Sequence, residues 1–147
     1  IMSKQNLISS KIYNLAERLW PLNRSITGDG VRETLSIIKN ELPDLNLYEV
    51  PSGTKVFDWT VPKEWRVKDA YIVTPRGKKI CEFAKNNLHL VGYSMPINKK
   101  ISLMDLQRNL HSLPHQTNAI PYVTSYYDNN WGFCLTHNER ENLEEGE

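Results

Sequence analysis

The sequence predicts an α+β fold, and three observations carry that reading. Apolar residues recur at helical spacing over the first 42 positions, ending at Leu42. Helical periodicity then gives way, after Pro51-Ser-Gly53, to short β-like runs. One short capped helix interrupts those runs.

The first helix is expected from about residue 4 to Trp20. Leu7, Ile8, Ile12, Leu15, Ala16 and Leu19 form its stripe, with Ser3 as N-cap and Pro21 as its end. The second starts behind Asp29, carries Val31, Leu35, Ile38 and Leu42, and stops at Pro43. Each has one apolar face, so each must pack on something larger. Leu45, Leu47 and Val50 suggest a first strand.

Further strands are expected over 54–59, 67–74, 78–83, 88–93, 120–126 and 131–136, mainly antiparallel. Pro75-Arg-Gly77 reads as a tight turn, and Asn86-Asn87 and Asp128-Asn-Asn130 as further turns. Ser102 with Asp105 caps a short helix bearing Leu103, Leu106 and Leu110, closed by Pro114. Residues 139–145 read as an exposed helical turn or two, stopped by Gly146. There is no repeat and no low-complexity linker.

Composition narrows the function classes. The chain has 147 residues and a formal net charge of +1, with its arginines scattered, so it carries no electrostatic footprint for nucleic acid or an anionic membrane. Cys81 and Cys134 are far apart, without a Cys-x-x-Cys, which excludes a zinc ribbon within these residues and suits two free buried thiols in a reducing cytosol. Residues 1–6 show no signal-peptide core, and no run approaches the ~20 apolar residues of a membrane span, so a cytoplasmic location is expected. Ile1 ahead of Met2 reads as an added residue. Asn23-Arg-Ser25 fits a glycosylation acceptor by coincidence.

Candidate chemistry is sparse. His111 and His115 have the spacing of a zinc helix, but Pro114 breaks that helix and no Glu follows His111. His89 reads as a hydrogen-bonded core or face residue, and His137 as a capping residue. Asp58 and Glu64 could pair across a cleft. The simpler reading packs Trp59 and Trp65 inward, with the carboxylates on turn N–H groups. No serine sits in a Gly-x-Ser-x-Gly elbow, and Gly28 with Gly30 matches neither phosphate-loop fingerprint. Asn23–Gly30 remains the most informative stretch. It is a polar, glycine-bearing loop at a helix N-terminus, readable as an entry turn or as an anion or substrate contact.

The order of segments resembles a known family. Residues 20–35 (Trp-Pro-Leu-Asn-Arg-Ser-Ile-Thr-Gly-Asp-Gly-Val-Arg-Glu-Thr-Leu) and 49–65 (Glu-Val-Pro-Ser-Gly-Thr-Lys-Val-Phe-Asp-Trp-Thr-Val-Pro-Lys-Glu-Trp) look like the opening of bacterial aminopeptidase-like proteins of the zinc-exopeptidase fold. Asp69–Ile72, Asn87–Ser94, His111–Pro114, Ile120–Tyr127 and Trp131–His137 continue the match over essentially the whole chain. That family was long catalogued as a domain of unknown function and often lies in surface-polysaccharide gene clusters.

The resemblance implies that residues 1–50 are the N-terminal helices and first strand of a zinc-peptidase-like α/β domain. Residues 51–136 would be an inserted β-rich domain, and 137–147 a return segment. The metal ligands would lie beyond residue 147, with the remainder of the peptidase-like domain as partner. No metal ligand or catalytic residue transfers to this chain, so the piece alone is expected to be non-catalytic, its zinc belonging to the parent protein. The loop residues Arg24, Ser25, Thr27 and Gly28 would lie near the parent's substrate pocket. Arg24 would either grip a carboxylate there or clamp the turn between the helices. The alternatives are a peptide- or carbohydrate-binding module and a structural insertion that makes homo-oligomer contacts. Clustered exposed aromatics would favour binding.

Overall fold

The computed structural model describes residues 4–126 and 128–144, and they form an α+β arrangement of four short or medium helices and three two-stranded sheets. The expected cap at Ser3, the added residue ahead of Met2, the matching Tyr127 and the stop at Gly146 lie outside the described residues. The chain divides into two compact units, Ile1–Arg66 and Val67–Glu147.

In the first unit, α1 spans Lys4–Leu19 and α2 spans Asp29–Glu41. Both end within two residues of where the prolines demand it. Arg18 in the last turn of α1 and Asp29 in the first turn of α2 each suit the helix dipole. Arg18 Nη1 lies 3.3 Å from Glu41 Oε1. That pair is half exposed, so it orients the two helix ends more than it stabilises them.

The strand expected at Leu45–Val50 does not form. Between Pro43 and Thr54 the described backbone is extended or turned and joins no sheet. The run 54–59 is not one strand either. β1 (Lys55–Val56) and β2 (Trp59–Thr60) pair antiparallel, Val56 opposite Trp59, and the chain reverses at Phe57-Asp58. Phe57 takes the left-handed conformation that this two-residue reversal requires, at φ 53°. Gly53 N–H to Val61 O (2.8 Å) and Val61 N–H to Thr54 O (2.9 Å) extend the ladder.

The second unit begins with the β3–β4 hairpin, Ile72–Val73 against Lys79–Ile80. Its turn is Pro75-Arg76-Gly77, with Gly77 at φ 77°. The strand expected at 88–93 starts instead as a 3-10 turn at Asn87–His89. The Asn86 side chain accepts the Leu88 N–H at 3.0 Å and pulls the backbone into it. α3 (Leu103–Gln107) carries the expected Ser102 cap, with Asp105 N–H donating to Ser102 Oγ at 3.1 Å. It stops well short of Pro114, because Leu110–His111 becomes β5 and pairs in parallel with β6, Phe133–Cys134. Isolated bridges join Leu90 to Phe133 and Gly92 to Thr124, so the runs 88–93 and 120–126 meet other backbone through single bridges rather than along a continuous ladder. α4 (His137–Glu141) opens on a capping box of Thr136 and Glu139.

The core sits in the second unit. Cys81, Leu110, Phe133 and Leu135 form one buried cluster, backed by Ile72, Ile80, Leu90, Leu106, Trp131 and Leu143. Val91 and Cys134 are buried as well. Cys81 and Cys134 are both free thiols, as expected. Burial pushes Cys81 up to about 12, with the nearby Glu139 carboxylate and Cys134 adding to it, and pushes Cys134 up to about 11. Thiols held neutral in this way are structural rather than reactive.

The first unit is different. Among its described residues no hydrophobic side chain is buried, while Leu7, Ile8, Ile12, Tyr13, Trp20 and Leu42 stand more than half exposed.

Candidate functional site

The loop between α1 and α2 is built by close backbone approach. A Cβ on Gly30 would lie 2.0 Å from Asn23 O, so no larger residue fits there. Gly28, buried and at φ 107°, is the N-cap of α2, and a Cβ on it would sit 3.1 Å from Trp65 O. Because Gly28 has no side chain, the first turn of α2 lacks a side-chain cap.

The four loop residues singled out by sequence fall on this one turn, in different roles. Arg24 Nη1 donates to Leu19 O, a carbonyl of the last turn of α1 that the helix itself cannot satisfy. That geometry is the clamp alternative for Arg24. Ser25 Oγ donates to Thr27 O. Thr27 Oγ1 is buried and has no hydrogen-bond partner among the described residues, as is Thr34 Oγ1 on α2. A buried hydroxyl without a partner costs free energy, so Thr27 is the member of the set with bonding capacity left over.

Charges close the site on one side. Asp29 Oδ1 accepts from Arg32 Nη1 at 3.0 Å and from Arg66 Nη2 at 3.1 Å. Arg32 Nη2 also donates to Glu64, whose other oxygen is 3.9 Å from Arg66. The hydrogen bond and charge of Glu64, with a smaller contribution from Asp29, raise the Arg32 pKa further. Glu64 is therefore occupied by arginines rather than paired with Asp58, which sits in the β1–β2 turn. Trp59 does not pack inward as expected but is about half exposed.

The histidines separate in space and role. His111 lies on β5, not on a helix, and His115 is exposed in a non-helical segment. Among the described residues no three His, Cys, Asp or Glu side chains converge on a point that could hold a metal ion. Burial, reinforced by the Arg140 guanidinium, lowers the His111 pKa below its ordinary 6.5. His89 Nδ1 lies 2.8 Å from Cys134 O, a core hydrogen bond of the expected kind. Thr136, rather than His137, caps α4.

Sequence reasoning missed one polar cluster. Ser112 Oγ lies 3.0 Å from His137 Nδ1, and His137 Nε2 lies 3.9 Å from Glu141 Oε1. The order serine, imidazole, carboxylate is that of a nucleophile and its base. Its surroundings are those of a tie. Arg140 donates to Gln107 Oε1 at 2.7 Å, to Gln107 O at 3.1 Å and to Ser112 Oγ at 3.4 Å, fastening α4 to α3 and β5. Ser112 and His137 are 25 residues apart, so only the β5–β6 pairing could have announced them.

Comparison with known proteins adds the following. Residues 64–147 match the model of a family described as a domain of unknown function, DUF2172. A Clostridium acetobutylicum protein, named as a candidate polysaccharide biosynthesis protein with an aminopeptidase-like domain, is 53% identical over 133 residues. That match takes in 90% of this chain and 30% of the relative. The crystal structure of a candidate peptidase from the same organism superposes with a TM-score of 0.88 at 52% identity, over 92% of this chain and 32% of that one. The chain thus spans about a third of the length of the relatives it matches.

Proposed function

The chain belongs to the DUF2172 family, and from that premise we propose that it is the N-terminal part of an aminopeptidase-like hydrolase of the zinc-exopeptidase fold. The observation that carries this reading is the first unit's lack of a core. α1 leaves Leu7, Ile8 and Ile12 of its stripe exposed, and the α2 stripe of Val31, Leu35 and Ile38 is only partly buried, which is too little burial to offset the conformational entropy of ordering both helices, so they need a further surface to cover them. A sheet supplied by the remaining two-thirds of a relative-sized protein would meet that need, and the aminopeptidase-like domain in the relative's name supports this reading.

The described residues do not fit a metal site: the His pair is off any helix, and among them no acidic or thiol group joins it. Zinc, in this reading, is held by residues outside these 147. The share of this chain is to present the Arg24–Gly30 loop beside the substrate pocket of the complete domain. Within it Arg24 holds the end of α1, while Thr27 Oγ1 and the uncapped first turn of α2 are the groups with hydrogen bonds left to give. Residues 51–136 are then a β-rich domain set into the peptidase-like one and residues 137–147 the return to it, in a protein of polysaccharide-associated genes.

The test is a chimera in which residues 1–147 replace the matching third of the Clostridium relative. With zinc added, the chimera and the native relative should release nitroaniline from aminoacyl nitroanilides, and this chain alone should not. Activity of the isolated chain, or inertness of both longer proteins with every amino acid offered, would overturn the assignment.

A further inference from the structure

The β1–β2 hairpin carries the wrong residue for its own turn. Phe57 opens the two-residue reversal in the left-handed region, at φ 53°. Hairpin turns of that kind favour glycine there, and for a bulky side chain the backbone is an outlier. Among the described residues nothing offsets the cost. Phe57 is fully exposed, and its ring has no stacking or cation partner among them.

The stem that presents this turn is held in place. Just past β2, Glu64 accepts from Arg32 of α2, and Arg66 Nη2 lies 3.1 Å from Asp29 Oδ1. A Cβ on Gly28 would sit 3.1 Å from Trp65 O, so the backbone at the start of α2 abuts the same segment. Lys55 Nζ donates to Thr60 Oγ1 at 2.7 Å, which puts those two side chains on one face of the hairpin. Val56 and Trp59 oppose each other on the other face, 36% and 47% exposed. A held stem thus carries an open apolar face and an apolar tip, on a two-stranded element that is marginal in water by itself.

The charge beside the tip selects what covers it. Asp58 is exposed and has no ion pair among the described residues. Sinking Phe57 into a bilayer would drag that carboxylate out of water. A second copy meeting tip to tip would set two Asp58 carboxylates against each other. Three apolar side chains are also a small patch for a bimolecular contact, which must offset the entropy of association. Within one polypeptide that cost is largely absent, so a small patch suffices. The chain superposes on only 32% of a longer one, which leaves most of a protein of that size to meet the hairpin. We propose that the hairpin is a docking element. Phe57, with Val56 and Trp59, seats in an apolar pocket of the polypeptide outside these 147 residues, and a cationic group there meets Asp58. This rests on the reading of the chain as part of a longer protein.

Hydroxyl-radical footprinting of the isolated 147-residue chain and of the chimera with the Clostridium relative tests it. Phe57 should be oxidised at least tenfold more slowly in the chimera, relative to the buried Phe133 of each. Phe57→Gly relieves the backbone, so it should leave the Tm of the isolated chain unchanged or raised. In the chimera it should lower the Tm by about 3 °C or more, and Phe57→Leu, which keeps apolar bulk, by less. Asp58→Asn should lower the Tm of the chimera alone. The proposal is overturned if Phe57 is as reactive in the chimera as in the isolated chain, or if Phe57→Gly shifts both Tm values alike. It is equally overturned if Phe57 becomes protected in the isolated chain as its concentration rises or as phosphatidylcholine vesicles are added. Neither readout uses catalysis: an inactive chimera that protects Phe57 would sink the hydrolase assignment and support the docking.

Discussion

Leu135→Ala and Ile12→Ala remove side chains of similar size from positions that sequence periodicity alone would rank alike. The structure ranks them far apart. Leu135 is 1% exposed and belongs to the buried cluster with Cys81, Leu110 and Phe133, whereas Ile12 on α1 is 65% exposed. Truncating a buried leucine costs about 2–5 kcal/mol, part lost transfer energy and part the cavity left behind. The Leu135 site is walled by side chains from several elements and cannot collapse cheaply, so about 3 kcal/mol is expected. For a unit of about 80 residues, Val67–Glu147, that lowers the Tm by roughly 12–24 °C. Ile12→Ala should change stability by no more than about 0.5 kcal/mol, since it exchanges an exposed β-branched residue for the best helix former. Scanning calorimetry of the two variants beside the native chain reads the difference. A Tm loss for Ile12→Ala equal to that of Leu135→Ala would mean that the α1 stripe is buried in this chain, and the reasoning would fail.

Three further outcomes are expected. At pH 8 the buried thiols of Cys81 and Cys134, with pKa values pushed up to about 12 and 11, should resist iodoacetamide until denaturant exposes them, and mass spectrometry should then find both labelled. His111 has a folded pKa below its ordinary 6.5, so the unfolded chain binds its proton first as pH falls. Its share of stability is complete above pH 6.5 and is lost progressively below it, until the folded pKa is reached, and His111→Gln should flatten that part of a urea-midpoint-against-pH curve. Thr136→Ala breaks the capping box of α4 and should cost about 1 kcal/mol, measurable as a lowered urea midpoint of the second unit.

The helices were legible because their signals are local. Pro21 and Pro43 stop α1 and α2, and Ser102 with Asp105 starts α3, each through chemistry contained in a few adjacent residues. The Pro75–Gly77 turn was legible for the same reason. The strands were not. Leu45, Leu47 and Val50 have the right side chains, but a strand needs a partner, and the described residues offer them none. The reversal at Phe57-Asp58 hides inside an apolar run, because phenylalanine is not a residue that announces a left-handed turn. Asn86 captures the Leu88 N–H by a side-chain bond that periodicity cannot register.

The site divides similarly. The glycines of the 23–30 loop were visible as glycines, and the structure supplies their reason in the close approach of Asn23 O and Trp65 O. The turning back of Arg24 onto Leu19 O was only one of two sequence alternatives. The Ser112–His137 contact and the stacked Tyr93–Tyr126 pair depend on segments more than 20 residues apart meeting at β5–β6 and at the Gly92–Thr124 bridge. Nothing local encodes them.

The central claim is that the first unit is built to be covered by more protein than these 147 residues contain. Hydrogen exchange, run on this chain and on the complete Clostridium relative, tests it most directly. In the isolated chain the amides of α1 and α2 should exchange rapidly while those of Val91, Leu110 and Phe133–Leu135 stay protected. In the relative, the two corresponding helices should be protected as strongly as that core. Strong protection of α1 and α2 in the isolated chain, or rapid exchange of both helices in the complete relative, would contradict the account.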